Sequence, residues 1–269
     1  MSSPKRRRIA EGDSLSTSLV VGGTPHSEKP LEEGTELAEA QTDAMVLPEE
    51  ILPEFDDFSE ILIEDLQKTD SALVAAGLEK LLTLLGKKNG ARKYQKRAYS
   101  LGAHTIVSLV MKRLPSIETI QASGCQCLGY LAYYKTLPAV RCGCVEAIVY
   151  AMKAYPNSPL VQSGGCCVLM NTISGCETKH IVIKRVTYRF VKEMDGIPLV
   201  LKALEKFSDD EDVRQCGLGV FVNLSLDSLL QDPLKKAGVL MAALGVLNKY
   251  PDDELVKEFN KNIVSNIFG

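Results

Sequence analysis

The sequence predicts an all-α fold, a right-handed α-solenoid of about four to five helical repeats behind a disordered N-terminal tail. Three observations predict it. Apolar residues recur at helical spacing in four similar windows, and each window follows another apolar helix after a short polar link. Tryptophan is absent and aromatic residues make up only 6% of 269 residues, which favours aliphatic packing between helices over a β-sandwich.

The tail is predicted to span residues 1–57, where Ser, Thr, Gly, Pro and Glu dominate and apolar residues keep no sustained period. Residues 1–60 hold 5 Lys or Arg and 14 Asp or Glu, a net charge of −9. One basic run, residues 4–8, is similar to nuclear import signals. It predicts an import receptor as a partner and a nuclear or nucleo-cytoplasmic location, and the alternative is a solvated basic tail without a receptor. Its cations are Lys5, Arg6, Arg7 and Arg8.

The helical repeat domain is predicted over residues 58–269, with a partial repeat at about 58–88. Each complete repeat contains a short amphipathic first helix, an apolar second helix and a third-helix window. Pro and Asp in the links end one helix and cap the next. The complete repeats are predicted at about 90–132, 133–173, 174–225 and 227–269.

The third-helix windows carry the strongest signal. They begin at Ile120, Val161, Val213 and Val256, which lie 41, 52 and 43 residues apart. Apolar residues return seven and eight positions later, on one face of a helix. A glycine stands four positions on in three of the windows, and because Gly costs about 1 kcal/mol relative to Ala inside a helix, its recurrence predicts a close helix contact.

These windows resemble the armadillo repeat consensus, in which a Val-Gln-x-x-Gly/Ala start leads to a Leu-Gly-Asn-Leu-like end. The resemblance covers about residues 90–268 and implies an armadillo/HEAT-type solenoid. Asn171, Asn223 and Asn266 fall on the family's Asn position, and Tyr130 replaces Asn in the first repeat. In the family, these Asn side chains line a concave groove and bind the backbone of an extended peptide. The alternative is an Asn that bonds only a neighbouring loop.

The sequence departs from the import receptors of this family at one position. Those receptors carry Trp four residues before the Asn, and the Trp side chains build pockets for Lys and Arg. Here that position holds Gln126, Cys167, Gly219 and Asn262. The resemblance therefore implies the fold and general peptide capture, and recognition of basic import signals is not expected.

An insertion of roughly ten residues, relative to the ~42-residue period, is predicted within residues 176–195. Its basic residues Lys184, Arg185 and Arg189 interleave with Tyr188 and Phe190, a pattern that suits phosphates and stacked bases. The alternative is the solvated face of an extended first helix. Residues 86–203 hold 17 Lys or Arg and 5 Asp or Glu, a net charge of +12, which predicts an acidic partner.

No pattern for catalysis, a metal or a cofactor is found. Cys125 and Cys127 are two residues apart on a predicted helix and point to different faces, so no metal site is expected. No apolar run is long enough to span a membrane. The apolar C-terminal residues predict contact with a second copy or a partner; they are Ile263, Val264, Ile267 and Phe268.

The sequence thus predicts a non-enzymatic scaffold or adaptor that captures an extended, acidic peptide in an armadillo groove. The alternative is a helical repeat protein that binds nucleic acid through residues 176–195. Because repeats of this kind serve many partners, the sequence does not name one.

Overall fold

The computed structural model describes residues 60–86, 91–174 and 180–268. The disordered tail and the basic run at 4–8 predicted from the sequence lie outside these residues. Within them the chain is helical, with no strand. No described helix combines the length and the apolar character needed to cross a bilayer.

The described residues begin with two short helical turns, Glu60–Glu64 and Asp65–Gln67, followed by helix α1 (Ser71–Leu85). Helix α1 packs against the third helix of the first repeat, as the third helix of a preceding repeat would. The aspartate Asp70 caps the start of this helix by accepting a hydrogen bond from the backbone N–H of Ala72 at 2.8 Å. Helix α1 therefore takes the place of a third helix ahead of the first complete unit.

Four units of three helices follow. The first two are α2 (Ala91–Ser100), α3 (Ala103–Arg113), α4 (Glu118–Tyr134), and α5 (Thr136–Arg141), α6 (Cys144–Ala154), α7 (Pro159–Ile173). The last two are α8 (Ile181–Lys192), α9 (Gly196–Phe207), α10 (Glu211–Ser225), and α11 (Ser228–Lys236), α12 (Val239–Lys249), α13 (Glu254–Phe268). The helix that covers most of the insertion, α8, is the first helix of the third unit.

A left-handed backbone residue joins the first and second helices of every unit. Gly102, Gly143 and Gly238 have φ angles of 71°, 76° and 77° at this turn. The third unit has Asp195 there, with a φ of 54°. Glycine adopts this conformation without steric cost, whereas an L-residue with a side chain is strained.

Small residues let the second and third helices of a unit approach closely. A Cβ at Gly124 would lie 2.6 Å from Cγ of Met111, and one at Gly165 would lie 2.5 Å from Sδ of Met152. Gly217 stands in the same way against Leu204, at 2.9 Å. These are the three glycines at one register from which the sequence predicts a close helix contact.

Buried glutamines join the same two helices. Nε2 of Gln121 donates to the carbonyls of Met111 and Leu114, each at 3.0 Å. Nε2 of Gln162 donates to the corresponding carbonyls of the second unit, at 2.9 and 3.1 Å. The carbonyls at a helix C-terminus lack intrahelical partners, so each glutamine satisfies two such groups.

The core is a row of third helices. Helix α7 packs between α4 and α10, and α13 packs on the other side of α10. A Cβ at Gly164 would lie 2.9 Å from Cβ of Cys125 and 3.1 Å from the backbone nitrogen of Gln126. Gly219 similarly faces Met170, whose Sδ would lie 2.5 Å away. The third helices therefore touch almost backbone to backbone.

Candidate peptide-binding surface

The predicted asparagines stand near the C-terminal ends of successive third helices and reach toward the helix before them. Nδ2 of Asn171 donates to the carbonyl of Gly129 in α4 at 3.3 Å. Nδ2 of Asn223 donates to the carbonyl of Met170 in α7 at 2.9 Å. All three asparagines are half-buried. The bonds between adjacent repeats fix the orientation of each amide.

Asn266 extends the series on the last described helix. Its Nδ2 donates to Oγ of Ser225 in α10 at 2.9 Å. Tyr130 occupies the same register on α4 and is also half-buried. Its hydroxyl would lie 3.3 Å from a Cβ at Gly86, so the ring reaches the end of α1. We call Tyr130, Asn171, Asn223 and Asn266 the ladder.

The ladder borders the first helices of its own repeats. Oγ1 of Thr136, at the start of α5, donates to the carbonyl of Asn171 at 3.2 Å. Nε2 of Gln231, in α11, donates to the carbonyl of Asn266 at 2.7 Å. In the second and fourth repeats the ladder residue is therefore next to the first helix of its own repeat.

The first helices of the first three repeats are free of acidic residues. Helices α2, α5 and α8 together carry nine Lys or Arg and no Asp or Glu. We call these three helices the basic row. The cations of the row attract negative charge through their summed field.

The basic residues of the insertion differ in exposure and in the ion pairs that they form. Arg185 is exposed and Lys184 is half-buried. Nη1 of Arg189 forms an ion pair with Oε1 of Glu146 at 2.8 Å, and its Nε reaches Oε2 of Glu193 at 3.4 Å. The charge of Arg189 is therefore paired with carboxylates of α6 and of the end of its own helix, whereas Arg185 faces solvent.

The two aromatic residues of the insertion are engaged inside the protein. Phe190 is fully buried, at 0% exposure, beneath the turn that leads into α9. The hydroxyl of Tyr188 donates to Oδ2 of Asp227 at 2.8 Å, and Nζ of Lys192 lies 5.6 Å from its ring centre. Neither ring presents an open face for a stacked base.

Comparison with known families decides what these repeats are. The family model described as LRRK2 ARM repeat matches residues 58–268. The chain belongs to this armadillo repeat family. The prediction of an all-α armadillo-type solenoid is therefore confirmed. A search of the curated proteins finds none that matches.

Solved structures agree on the armadillo fold. The "Designed armadillo repeat protein YIII(Dq)4CqI" superimposes with a TM-score of 0.62 at 12% identity, over 78% of this chain and 82% of that one. A structure of "computationally designed armadillo repeat proteins for modular peptide recognition" gives a TM-score of 0.61 at 13% identity, over 77% and 82%. An engineered protein gives 0.54 at 16% identity, over 79% and 96%. At these identities the likeness shows the fold.

The armadillo solenoid lacks pockets at the family's Trp positions in its central repeats. Cys167 and Gly219 stand there, and both are buried between neighbouring third helices. Gln126 and Asn262, at the two outer repeats, are half-buried. A side chain at Gly219 would require the side chain of Met170 to move.

Aromatic residues at the first armadillo repeat are a feature that the sequence did not single out. The rings of Tyr99 and His104 stack with centres 5.4 Å apart, and the Tyr99 ring meets Tyr134 edge-on at 5.8 Å. Tyr133 is exposed at the end of the same helix. The only signal in the sequence was the interleaving of tyrosines with the cations of α2.

The cysteines of the third helices behave as small apolar residues. Cys125 and Cys166 share one register and are completely buried. Burial raises the pKa of the Cys166 thiol to about 12 and that of Cys125 further still. In the described part of the chain no group of three or more His, Cys, Asp and Glu is placed to hold a metal ion.

The C-terminal armadillo helix divides its apolar residues between the core and solvent. Ile263 and Ile267 are buried against the preceding helices. Val264 and Phe268 are 40% and 60% exposed, and Nζ of Lys235 lies 5.3 Å from the Phe268 ring. Only half of the predicted apolar end is therefore a surface.

Proposed function

We propose that this armadillo protein is a non-enzymatic adaptor that captures an extended, acidic peptide along the ladder. The observation that carries the proposal is the contact between Asn171 of the ladder and α5 of the basic row. Thr136 joins the two directly through the carbonyl of Asn171. Backbone capture and charge selection are then supplied by neighbouring elements.

The ladder supplies the part of binding that does not depend on the peptide sequence. An amide side chain carries two N–H donors and a carbonyl acceptor, so it can serve both groups of a peptide backbone. The bonds of Asn171 and Asn266 to the preceding third helix orient their amides before a ligand arrives. Preorientation lowers the entropy lost on binding, which favours affinity.

The basic row supplies selectivity. Its cations raise the local concentration of acidic chains and speed their encounter, and this effect weakens as salt screens the field. Exposed cations such as Arg185 contribute to this steering. Arg189 contributes less, because Glu146 and Glu193 already neutralise it.

Three further proposals concern the cellular setting. The basic run of Lys5, Arg6, Arg7 and Arg8 binds an import receptor, which places the protein in the nucleus or in exchange with the cytoplasm. The exposed Val264 and Phe268 support self-association or contact with a partner at the C-terminal end. No cofactor is proposed.

Nucleic-acid binding through residues 176–195 is the less supported alternative. Binding of single strands relies on aromatic rings that stack with bases. Tyr188 is held by Asp227 and Phe190 is buried, so the insertion offers cations without a stacking platform. A proposal of nucleic-acid binding would rest on charge alone.

A binding assay with defined probes tests the proposal. Fluorescence anisotropy of the full chain is measured with a labelled decapeptide of alternating Glu and Ser, with its Lys and Ser counterpart, and with a single-stranded oligothymidine. We expect the acidic peptide to bind most tightly. Tighter binding of the oligothymidine would overturn the peptide assignment in favour of the alternative.

Ladder variants show where the peptide binds. One hydrogen bond contributes about 0.5–1.5 kcal/mol, so Asn171→Ala combined with Asn223→Ala and Asn266→Ala is expected to weaken binding by about tenfold or more. Asn248→Ala, on the exposed face of α12, is the matched control and should leave affinity unchanged. Circular dichroism establishes that each variant is folded. Equal affinities in all variants would remove the ladder from the proposal.

Charge variants separate the basic row from general attraction. Arg185→Gln, on α8, is compared with Lys202→Gln, on the exposed face of α9. We expect the first to weaken binding of the acidic peptide and to reduce its dependence on salt, and the second to do neither. Equal effects of the two substitutions would mean that net charge, and not the row, attracts the peptide.

A further inference from the structure

Two thiols meet at the turn between the first and second helices of the second repeat. Cys142 follows the last residue of α5, Gly143 adopts the left-handed conformation, and Cys144 begins α6. The side chains of Cys142 and Cys144 lie close enough that each is the largest influence on the pKa of the other. Only Gly143 separates the two residues in the chain.

Among the cysteines in the described ranges, Cys142 alone is partly exposed. Its partner Cys144 is buried. A reagent from solvent therefore reaches one sulfur of the pair first, and the second sulfur lies directly behind it. This division suits an attacking thiol and a resolving thiol.

Polar groups of α3 surround the exposed thiol. Oγ of Ser108 lies 3.5 Å from Sγ of Cys142. Nζ of Lys112 would lie 3.1 Å from a Cβ at Gly143, which places its ammonium beside the turn. The Cys142 thiol itself donates to the carbonyl of Ala139 at 3.0 Å.

Three of the neighbouring side chains favour the anion of Cys142. The side chain of Cys144 is the largest cause that lowers the pKa of Cys142 to about 7, and Ser108 and Lys112 act in the same direction, against burial and against the bond of the thiol to the carbonyl of Ala139. The other charged group beside the turn is Glu146, which Arg189 pairs at 2.8 Å. A thiol with a lowered pKa is largely thiolate near neutral pH, which is the reactive form.

We propose that Cys142 and Cys144 form an oxidisable dithiol that reacts with hydroperoxides. The sulfur of Cys142 attacks the terminal peroxide oxygen, the O–O bond breaks, and the alkoxide released takes a proton to become an alcohol, or water when the oxidant is hydrogen peroxide. Cys142 is thereby oxidised to a sulfenic acid. Cys144 then loses its proton and attacks the Cys142 sulfur. The S–S bond forms, the S–O bond breaks, and hydroxide leaves as water with that proton.

The remaining described cysteines serve as internal controls. Cys125 and Cys166 are also near each other, because Cys166 contributes to the raised pKa of the Cys125 thiol. Both are completely buried, and the pKa of each is raised. Cys144 is also buried with a raised pKa, but it has the partly exposed Cys142 next to it, and Cys125 and Cys166 have no such neighbour among the described cysteines.

The chain offers a direct readout. Trypsin cleaves after Arg141 and Lys153 and releases residues 142–153, a peptide that holds both thiols and no other cysteine. The full reduced chain is treated with hydrogen peroxide, and its remaining free thiols are alkylated with N-ethylmaleimide. The chain is then digested with trypsin, and the peptide masses are measured by mass spectrometry. We expect the peptide to lose two hydrogen masses and to take up no maleimide, while the buried cysteines remain reduced. A dimedone adduct is expected on Cys142 only when Cys144 is replaced.

Substitutions at each of the two cysteines assign the roles. Cys144→Ala is expected to leave Cys142 as a sulfenic acid that dimedone traps, and Cys144→Ser is the second variant in case one of them is unstable. Cys142→Ser is expected to abolish oxidation of Cys144. Faster oxidation of any other cysteine, no dimedone adduct in a folded Cys144 variant, or undiminished oxidation of Cys144 without Cys142 would each overturn the proposal. The outcome does not depend on peptide binding.

Discussion

Replacing Gly164 by alanine tests the closest approach between two third helices. The new Cβ would lie 2.9 Å from Cβ of Cys125 and 3.1 Å from the backbone nitrogen of Gln126. A backbone atom cannot rotate away, so α4 and α7 would have to separate. Helix α7 is also packed against α10 on its other side, which limits the shift available to it.

The magnitude follows from two opposed effects. Alanine stabilises a helix interior by about 1 kcal/mol relative to glycine. Overpacking a close-packed core costs about 1–3 kcal/mol, and the backbone contact places Gly164 at the upper end. The expected net loss in the free energy of unfolding is about 2 kcal/mol, which corresponds to a fall in Tm of about 4–8 °C for a domain of this size.

Two other glycines calibrate the assay. Gly245 lies inside α12, is exposed, and would meet no atom within 4 Å, so Gly245→Ala is expected to raise Tm by about 2–4 °C. Gly165 faces the flexible end of Met152, so Gly165→Ala should cost less than Gly164→Ala. Thermal melts of the full chains by circular dichroism compare the three. If Gly164→Ala raised Tm as Gly245→Ala does, the close helix contact would be refuted.

Three further substitutions test other parts of the fold. Asp195→Gly removes the strain of a left-handed residue with a side chain and should raise the free energy of unfolding by about 0.5–1 kcal/mol in urea titrations. The exposed ion pair with Lys153 that this substitution removes contributes little. A lower urea midpoint would contradict this expectation. Burial lowers the pKa of His104, so the unfolded chain takes up a proton at a higher pH than the folded chain, and the free energy of unfolding should fall as the pH drops from 7 through the usual histidine range. His104→Phe should flatten that part of the profile of stability against pH. An unchanged profile would exclude His104 as its source. Gln162→Ala leaves the carbonyls of Met152 and Tyr155 without the side-chain N–H that bonds them. The free energy of unfolding should fall by about 1–3 kcal/mol in the same urea titrations. A fall below about 0.5 kcal/mol would show that water replaces the side chain as the donor.

The repeat architecture could be predicted from the sequence because the residue patterns that specify it lie within single helices and turns. The apolar spacing that begins at Val161 and Val213 lies within one helix, and a helix presents such residues on one face whatever its neighbours are. The apolar second helix that the sequence predicts in each complete repeat is present as α3, α6, α9 and α12. The Pro and Asp residues in the links act within a single turn, so they also mark boundaries locally.

The candidate site could be predicted from the sequence only in part. The register of Asn171, Asn223 and Asn266 follows from the repeat alignment. Their bonds to the preceding helix, and the contact of Thr136 with Asn171, join residues about forty positions apart. No periodicity encodes such a pairing, so the border between the ladder and the basic row appears only in the folded solenoid.

The sequence by itself determined that this chain forms helical repeats, because amphipathic spacing and helix-ending residues act over a few positions. Tertiary structure decided which neighbour each side chain meets. Gly164 and Gly165 are adjacent in sequence, yet the first faces α4 of the preceding repeat and the second faces Met152 of its own. Cys142 and Cys144 acquire Ser108 and Lys112 as neighbours from another repeat in the same way. The physical reason is that helix packing, and not local spacing, sets the distances between repeats.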